Sequence, residues 1–172
     1  FWASFLTLIA GGIGFAVRGG LLGPWGQQYG FTQFELGEIA GAGLWGFPIA
    51  IIGLSFVVDR IGYGKVMALA FSLHVLSAVV TLAATPVYLA VGNKYAAWWC
   101  LYVGTWIFSL ANGACESVIN PLTATLFPRA KTHWLNILHA GWPGGLILGA
   151  VIVLGFNGLS ALLKQSIPWE LQ

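Results

Sequence analysis

Five long runs of apolar residues follow one another along the chain, separated by short clusters of glycine, proline or charged residues. A helix needs about 20 mostly apolar residues to cross the hydrocarbon core of a bilayer. The pattern therefore predicts an all-α membrane protein with five transmembrane helices. We place the helices at about residues 1–22, 36–58, 66–86, 95–120 and 135–156, followed by a tail over residues 157–172.

The fourth apolar run has the most informative polar pattern. Between Tyr95 and Phe127 the one charged side chain is that of Glu116, and polar residues recur around it every three or four positions. At this spacing they share one face of a helix. The residues on this face are Thr105, Ser109, Asn112, Glu116, Asn120 and Thr123. A polar stripe on an apolar membrane helix predicts a wet cavity within the protein, with Glu116 as the first candidate functional residue.

Composition supports a membrane protein and excludes other classes. Charged residues make up 7% of the chain and apolar residues 58%, whereas soluble domains have about 25% charged residues. The net charge is +2, and the basic residues form no cluster that would neutralise a nucleic-acid backbone. We therefore expect the partners to be a lipid bilayer and a small solute, and no nucleic acid.

The distribution of basic residues predicts the orientation, because lysine and arginine favour the cytoplasmic side of a membrane. Two predicted connections contain Arg60, Lys65, Arg129 and Lys131, whereas the opposite side has Lys94 and Lys164. This bias places the N-terminus in the cytoplasm. Five helices are an odd number, and both ends of the chain are close to apolar sequence. We therefore expect an incomplete bundle that begins inside its first helix and whose sixth helix follows the tail.

The loop between the second and third helices reads Asp59-Arg60-Ile61-Gly62-Tyr63-Gly64-Lys65. One interpretation is a basic loop that only sets topology. The other is a charge network on a tight turn, in which these side chains and the helix dipoles hold neighbouring helices together.

This loop resembles the motif of the major facilitator superfamily, which is G-x-x-x-D-R-x-G followed by two basic residues. Ser55 stands where the family has the leading glycine, and Tyr63-Gly64-Lys65 replaces the two adjacent basic residues. The resemblance implies that the chain is most of the N-terminal six-helix bundle of a twelve-helix carrier, whose C-terminal half is missing here. It also implies a conformational gating role for the loop residues Asp59, Arg60, Gly62 and Lys65.

A second resemblance is to the fucose:proton symporter branch of that superfamily. It rests on the run from Glu116 to Asn120-Pro121, which matches an E-x-x-x-N-P pattern, and on the pair Leu135-Asn136 before a glycine-rich helix. The resemblance implies that Glu116 lies in the central cavity and takes part in proton-coupled sugar transport. The expected function is secondary active transport of a small polar solute, a sugar with protons, by alternating access in a bacterial inner membrane.

Arg18 departs from that branch, which has an aspartate in the first helix. Arg18 shares a helical face with Thr7, Gly11 and Gly14, so it can point into the same cavity as Glu116. An unpaired charge at mid-bilayer costs about 2.5–3.5 kcal/mol, which favours a pair between the two side chains. Arg18 can instead bind an anionic solute, which gives organic or inorganic anion transport as the alternative function. A third interpretation is that Arg18 reaches the outer interface from a helix that ends near Gly19-Gly20.

Other candidate residues have two interpretations each. Asn112 binds solute hydroxyls or bridges helices, and Asn120-Pro121 kinks the helix beside Glu116 or simply ends it. Asn136 and His139 lie one turn apart near the start of the fifth helix, where His139 either relays protons or packs against a neighbouring helix. We count Glu116, Arg18, Asn112, Asn120, Asn136 and His139 as candidate substrate or proton ligands.

An enzyme is not expected, because the chain has no G-x-S-x-G, P-loop, H-E-x-x-H or C-x-x-C motif. The candidate ligands His133, His139 and Glu116 lack a common helical spacing, so no metal site and no cofactor are predicted. The remaining alternative is a membrane protein that does not transport, either a structural helix bundle or a half-carrier that assembles with partners.

Overall fold

The structure is a computed structural model that describes residues 1–165 and 167–171. Two residues of the predicted tail, Ser166 and Gln172, lie outside the described part. The α-helices are α1 (Trp2–Tyr29), α2 (Gln33–Ser55), α3 (Val58–Ile61), α4 (Tyr63–Leu82), α5 (Ala84–Val91), α6 (Lys94–Leu126) and α7 (Lys131–Leu163). A short 3₁₀ helix, Trp169–Leu171, follows α7.

The described residues are almost entirely helical and contain no strand, which confirms the all-α prediction. Four helical stretches are long and apolar enough to cross a membrane. They are Trp2–Tyr29, Gln33–Ser55, Tyr63–Val91, which combines α4 and α5, and Lys131–Leu163. Helix α6 is long enough but is not among the four. Its polar stripe lowers its mean hydropathy, and neighbouring helices bury much of its surface.

Helix α1 extends to Tyr29, beyond the predicted end near residue 22. The glycines around Arg18 do not end the helix, and Pro24 lies inside it. The end comes at Gly30, whose φ of 71° is in the left-handed region that favours glycine. Arg18 therefore lies within the helix, and the interpretation that it sits at a helix end is wrong.

Helix α2 begins at Gln33 because Thr32 caps it. The Thr32 hydroxyl accepts a hydrogen bond from the Glu35 backbone N–H at 3.2 Å, and the Glu35 carboxylate accepts one from the Thr32 N–H at 2.7 Å. This capping box satisfies two backbone donors that a helix start leaves open. The helix ends at Ser55, earlier than the predicted residue 58, and the single turn α3 follows it.

The other helix ends also differ from the predicted bounds. The predicted helix 66–86 is divided at Ala83 into α4 and α5. Helix α6 continues through Pro121 to Leu126, so the interpretation that Asn120-Pro121 ends the helix is wrong. Helix α7 is longer than the predicted 135–156 at both ends. It begins at Lys131, and it continues to Leu163 because the sequence after residue 157 is still largely apolar. The tail therefore begins only at Lys164, whose φ is 51°.

The chain forms two compact units. The first unit consists of Phe1–Gln28 and Thr123–Gln172, and the second of Tyr29–Leu122. In the first unit, small residues spaced by four allow α1 and α7 to approach closely, as in many membrane helix pairs. A Cβ added at Gly145 would overlap the carbonyl oxygen of Ile9, and one at Gly149 would lie 2.7 Å from the Cβ of Ala16. The contact continues at Gly141, where an added Cβ would lie 3.0 Å from the Phe5 carbonyl oxygen.

In the second unit, α6 packs closely against α2 and α4 through serine hydroxyls and glycines. Ser109 donates a hydrogen bond of 2.6 Å to the Gly43 carbonyl of α2. Ser77 of α4 donates one of 2.7 Å to the Gly104 carbonyl of α6. At Gly113 an added Cβ would lie 2.7 Å from the Cβ of Ala50. Hydrogen bonds of this kind between membrane helices contribute about 0.6–2 kcal/mol each.

A buried cluster in the same unit joins the Asp59 loop to α6. It contains Val58 of α3, Val66 and Ala70 of α4, and Ala114, Cys115 and Val118 of α6. Two of the α6 members directly precede Glu116 in the chain. The loop and the Glu116 segment are therefore anchored in one apolar core.

Candidate functional site

The first half of the polar stripe on α6 is buried, and one of its hydroxyls holds two helices together, whereas the Thr105 hydroxyl has no hydrogen-bond partner among the described residues. Thr105, Ser109 and Asn112 are all buried, and the Ser109 hydroxyl is bonded to α2 as described above. The Asn112 side-chain amide donates to the Phe108 carbonyl of its own helix at 3.0 Å. This hydrogen bond lies within α6 and does not bridge helices. A ligand role for Asn112 stays a prediction.

The second half of the stripe is more open and contains the carboxylate. Glu116 and Asn120 are half-buried, one turn apart on α6. The Asn120 Nδ2 donates to the Glu116 Oε2 at 3.4 Å, a long hydrogen bond. Because the amide nitrogen faces the carboxylate, the amide oxygen faces away. That Oδ1 is buried and has no hydrogen-bond partner among the described residues.

Buried polar atoms in folded proteins nearly always have a partner, either within the protein or in a bound molecule. The Asn120 Oδ1 therefore offers an acceptor for a hydroxyl or a water next to a carboxylate. Pro121 follows directly, and because proline has no N–H, the Ser117 carbonyl lacks the donor that a helix normally supplies four residues on. The Glu116–Asn120 pair is the part of the stripe that is suited to binding a polar solute or a proton.

The other predicted ligands lie in the first unit. Arg18 is half-buried within α1, whereas Asn136 and His139 are exposed on α7 and lie one turn apart. The predicted pairing of Arg18 with Glu116 stays a prediction, as do ligand roles for Asn136 and His139.

The predicted gating loop has an exposed, charged surface over a buried base. Asp59, Arg60 and Lys65 are exposed, and Val58 is buried beneath them. Gly62 ends α3 and begins α4 with a φ of 92°, a conformation that favours glycine. The described residues show no salt bridge within this loop. The gating role stays a prediction.

A salt bridge joins α2 to α6, and it was not anticipated from the sequence. Lys94 Nζ lies 2.8 Å from Oε1 of Glu35 and 3.0 Å from its Oε2. The Glu35 backbone carbonyl also accepts a hydrogen bond from the Trp98 indole at 3.2 Å. The T-x-x-E signal of Thr32 and Glu35 was visible in the sequence, but Lys94 lies 59 residues further on. We call these three residues, Glu35, Lys94 and Trp98, the α2–α6 clasp.

Breaking the salt bridge of the clasp is expected to lower the thermal unfolding midpoint. Glu35→Gln keeps the capping box, since glutamine serves in it, but removes the ion pair, and Lys94→Met removes the same pair from the other side. Thermal unfolding of both single variants and of the double variant gives a double-mutant cycle. Since both substitutions remove the same ion pair, the double variant should be at least as stable as the less stable of the two single variants. Fully additive losses would show that the two side chains act independently.

The described residues form an all-helical protein, and its apolar helices are compatible with a membrane-embedded protein. The chain matches no family model, no curated protein and no solved structure.

Proposed function

We propose that the protein is a secondary active transporter of the major facilitator type, which moves a small sugar together with protons by alternating access. The observation that carries this proposal is the Glu116–Asn120 pair, a half-buried carboxylate beside an amide oxygen that lacks a partner in the described chain. A carboxyl group can accept and release a proton, and an amide oxygen can accept a hydrogen bond from a sugar hydroxyl. Carboxylates within membrane proteins are costly and mark substrate or proton pathways.

In the proposed carrier, α6 is the fourth transmembrane helix, and the chain forms five helices of the N-terminal six-helix bundle. The C-terminal bundle completes the carrier, and rocking of the two bundles exposes a midplane site to one side and then the other. The Asp59–Lys65 loop stabilises one end state from the cytoplasmic side. The apolar cluster that contains both Val58 and Cys115 supports this idea, because it connects the loop to the segment of α6 that holds Glu116.

The proposed location is the bacterial inner membrane with a cytoplasmic N-terminus, as the distribution of basic residues favours.

Reconstitution of the complete carrier in vesicles tests the function. With an imposed pH gradient, acid outside, labelled fucose or a related hexose should accumulate in the lumen. Uptake that stays at the level of protein-free vesicles for all sugars tested would contradict the sugar proposal.

Anion transport is the second candidate, favoured by the position of Arg18 within α1 and not at its end. Arg18→Gln separates the two candidates. Under the sugar proposal, sugar uptake survives in part, because arginine does not bind the solute. If Arg18 binds an anion, Arg18→Gln should decrease the uptake of anionic solutes by more than about tenfold. Arg18→Lys should retain more of this uptake, because lysine keeps the positive charge, but less than the wild type, because lysine lacks the bidentate geometry of arginine.

A protein that does not transport is the remaining alternative, either a helix bundle or a half-carrier. The length of the parent reading frame distinguishes this alternative from a complete carrier. A second block of six apolar helices downstream supports the complete carrier, whereas a stop codon soon after Gln172 would exclude it.

A further inference from the structure

A groove of about 640 Å³ lies in the second unit, between the start of α2 and the start of α6. Its size is within the range of small-molecule sites, about 300–1,000 Å³. The wall includes five aromatic side chains and one carboxylate, namely Phe34, Glu38, Trp45, Trp98, Trp99 and Tyr102. On α6, Tyr102 precedes Glu116 by about four turns, roughly 20 Å, so the groove is separate from the Glu116–Asn120 pair.

The rings on α6 are held in fixed orientations. Trp98 and Tyr102 stack with their centroids 4.8 Å apart and their planes at 19°. Trp99 meets Trp98 edge-on, at 4.9 Å and 84°. The Trp98 indole N–H is already bonded to the Glu35 carbonyl. Trp98 can therefore offer a ligand only the ring face that is not stacked on Tyr102.

Glu38 gives the groove a negative charge. The neighbouring acid Glu35 is neutralised by Lys94 at 2.8 Å. Glu38 is exposed, and no basic side chain in the described part of the chain forms a salt bridge with it. Tryptophan and tyrosine at the end of a membrane helix are explained by their preference for the interface, and Glu38 adds a negative charge beside them.

Ring faces together with a carboxylate suit a particular ligand chemistry. The face of an aromatic ring carries negative electrostatic potential and attracts cations, most strongly for tryptophan, and such contacts recur in sites for quaternary ammonium ions. An anion would be repelled by Glu38, and a neutral sugar would not require its charge. We propose that this groove binds a small soluble organic ammonium ion, with the cationic head on the α6 rings and Glu38 as the counter-charge. The site is independent of the proposed transport function, because binding there requires no flux.

The groove offers a clean way to block it. Gly41 of α2 lies in its wall, and a Cβ added there would meet no atom within 4 Å. A leucine at this position would therefore project into the groove and occupy part of it without a clash at its Cβ. Gly53 of the same helix is equally free of neighbours within 4 Å and is not among the groove residues, so it provides the matched control.

Choline binding to the purified protein tests the proposal, with intrinsic tryptophan fluorescence as the readout. The protein is held in nanodiscs of phosphatidylglycerol, a lipid without an ammonium group. Choline should give a saturable change, and its uncharged carbon analogue dimethylbutanol should bind at least about tenfold more weakly, since only the charge differs. Glu38→Gln should weaken choline binding by a similar factor and leave the binding of dimethylbutanol unchanged. Equal affinity for the two probes, or unchanged choline binding in Glu38→Gln, would overturn the proposal.

The blocking variant locates the site. Gly41→Leu should abolish choline binding, whereas Gly53→Leu should bind like the wild type, with both variants unfolding at the wild-type temperature. Choline binding retained in Gly41→Leu would place the site elsewhere.

Nanodiscs that contain phosphatidylcholine distinguish the source of the ammonium group. Choline affinity should stay the same in them, and loss of choline binding would assign the groove to a lipid headgroup and overturn the assignment to a soluble ion.

Discussion

Gly145→Leu should prevent the normal assembly of α1 and α7, and it is the substitution with the largest expected effect on folding. The Cβ of any side chain at this position would overlap the carbonyl oxygen of Ile9, which belongs to the backbone and cannot rotate away. The helices would have to separate along the whole stripe of small residues. Overpacking of a core commonly costs about 1–3 kcal/mol, and we expect at least the upper end of this range, because the obstacle is backbone.

The measurement is the fraction of monodisperse protein after extraction in detergent, together with its thermal unfolding midpoint. Gly144→Leu is the matched control, because a Cβ at Gly144 meets no atom within 4 Å. It should behave like the wild type. Gly145→Ala provides a milder variant that still introduces the overlapping Cβ, and it should lower the midpoint if the leucine variant cannot be purified. Equal stability of Gly145→Ala, Gly144→Ala and the wild type would show that close approach of the helices is not required.

Glu116→Gln should abolish accumulation of solute driven by a pH gradient, and it is the substitution with the largest expected effect on transport. Glutamine has nearly the shape of glutamate and can still hydrogen-bond to Asn120, but it cannot accept and release a proton. Loss of a group that must titrate in the transport cycle removes the coupling. We expect pH-driven uptake to decrease by more than about 100-fold, which is the lower end of the range for general acid–base groups.

Exchange of labelled for unlabelled solute provides the control for folding and binding. In a proton-coupled carrier, exchange requires the solute site but no net proton movement, so the Glu116→Gln variant should retain it to a measurable extent. Glu170→Gln, which changes a carboxylate of the short 3₁₀ helix, should leave both activities unchanged. Loss of both exchange and uptake in a well-folded Glu116→Gln variant would assign Glu116 to solute binding and not to proton coupling.

The helical fold was predictable because a bilayer constrains the sequence so strongly. A backbone in hydrocarbon must satisfy its own hydrogen bonds, so long apolar runs become helices. Helix ends were harder to predict. Gly19-Gly20 and Pro24 indicate an end in a soluble protein, but α1 continues through all three. At Gly20 a small residue suits close packing against α7, since a Cβ added there would lie 2.7 Å from the Val153 side chain.

The candidate site was predictable only as a helical face. The spacing from Thr105 to Thr123 identified the stripe, but it gave no way to know that the Ser109 hydroxyl would bond to the Gly43 carbonyl. Which polar groups are used in packing depends on contacts between residues distant in sequence. The same limit applies to the ion pair of Glu35 and Lys94, which lie 59 residues apart, although the capping box at Thr32 was recognisable from local sequence.

Proton movement driven by a solute gradient is the most direct test of proton-coupled transport through Glu116. Vesicles that contain the complete carrier and a pH-sensitive dye in the lumen receive the transported sugar outside, with no pH gradient imposed. Wild-type vesicles should acidify inside as the sugar enters, and Glu116→Gln vesicles should not. Sugar entry without acidification in the wild type, or equal acidification in the two proteins, would contradict a coupling role for Glu116.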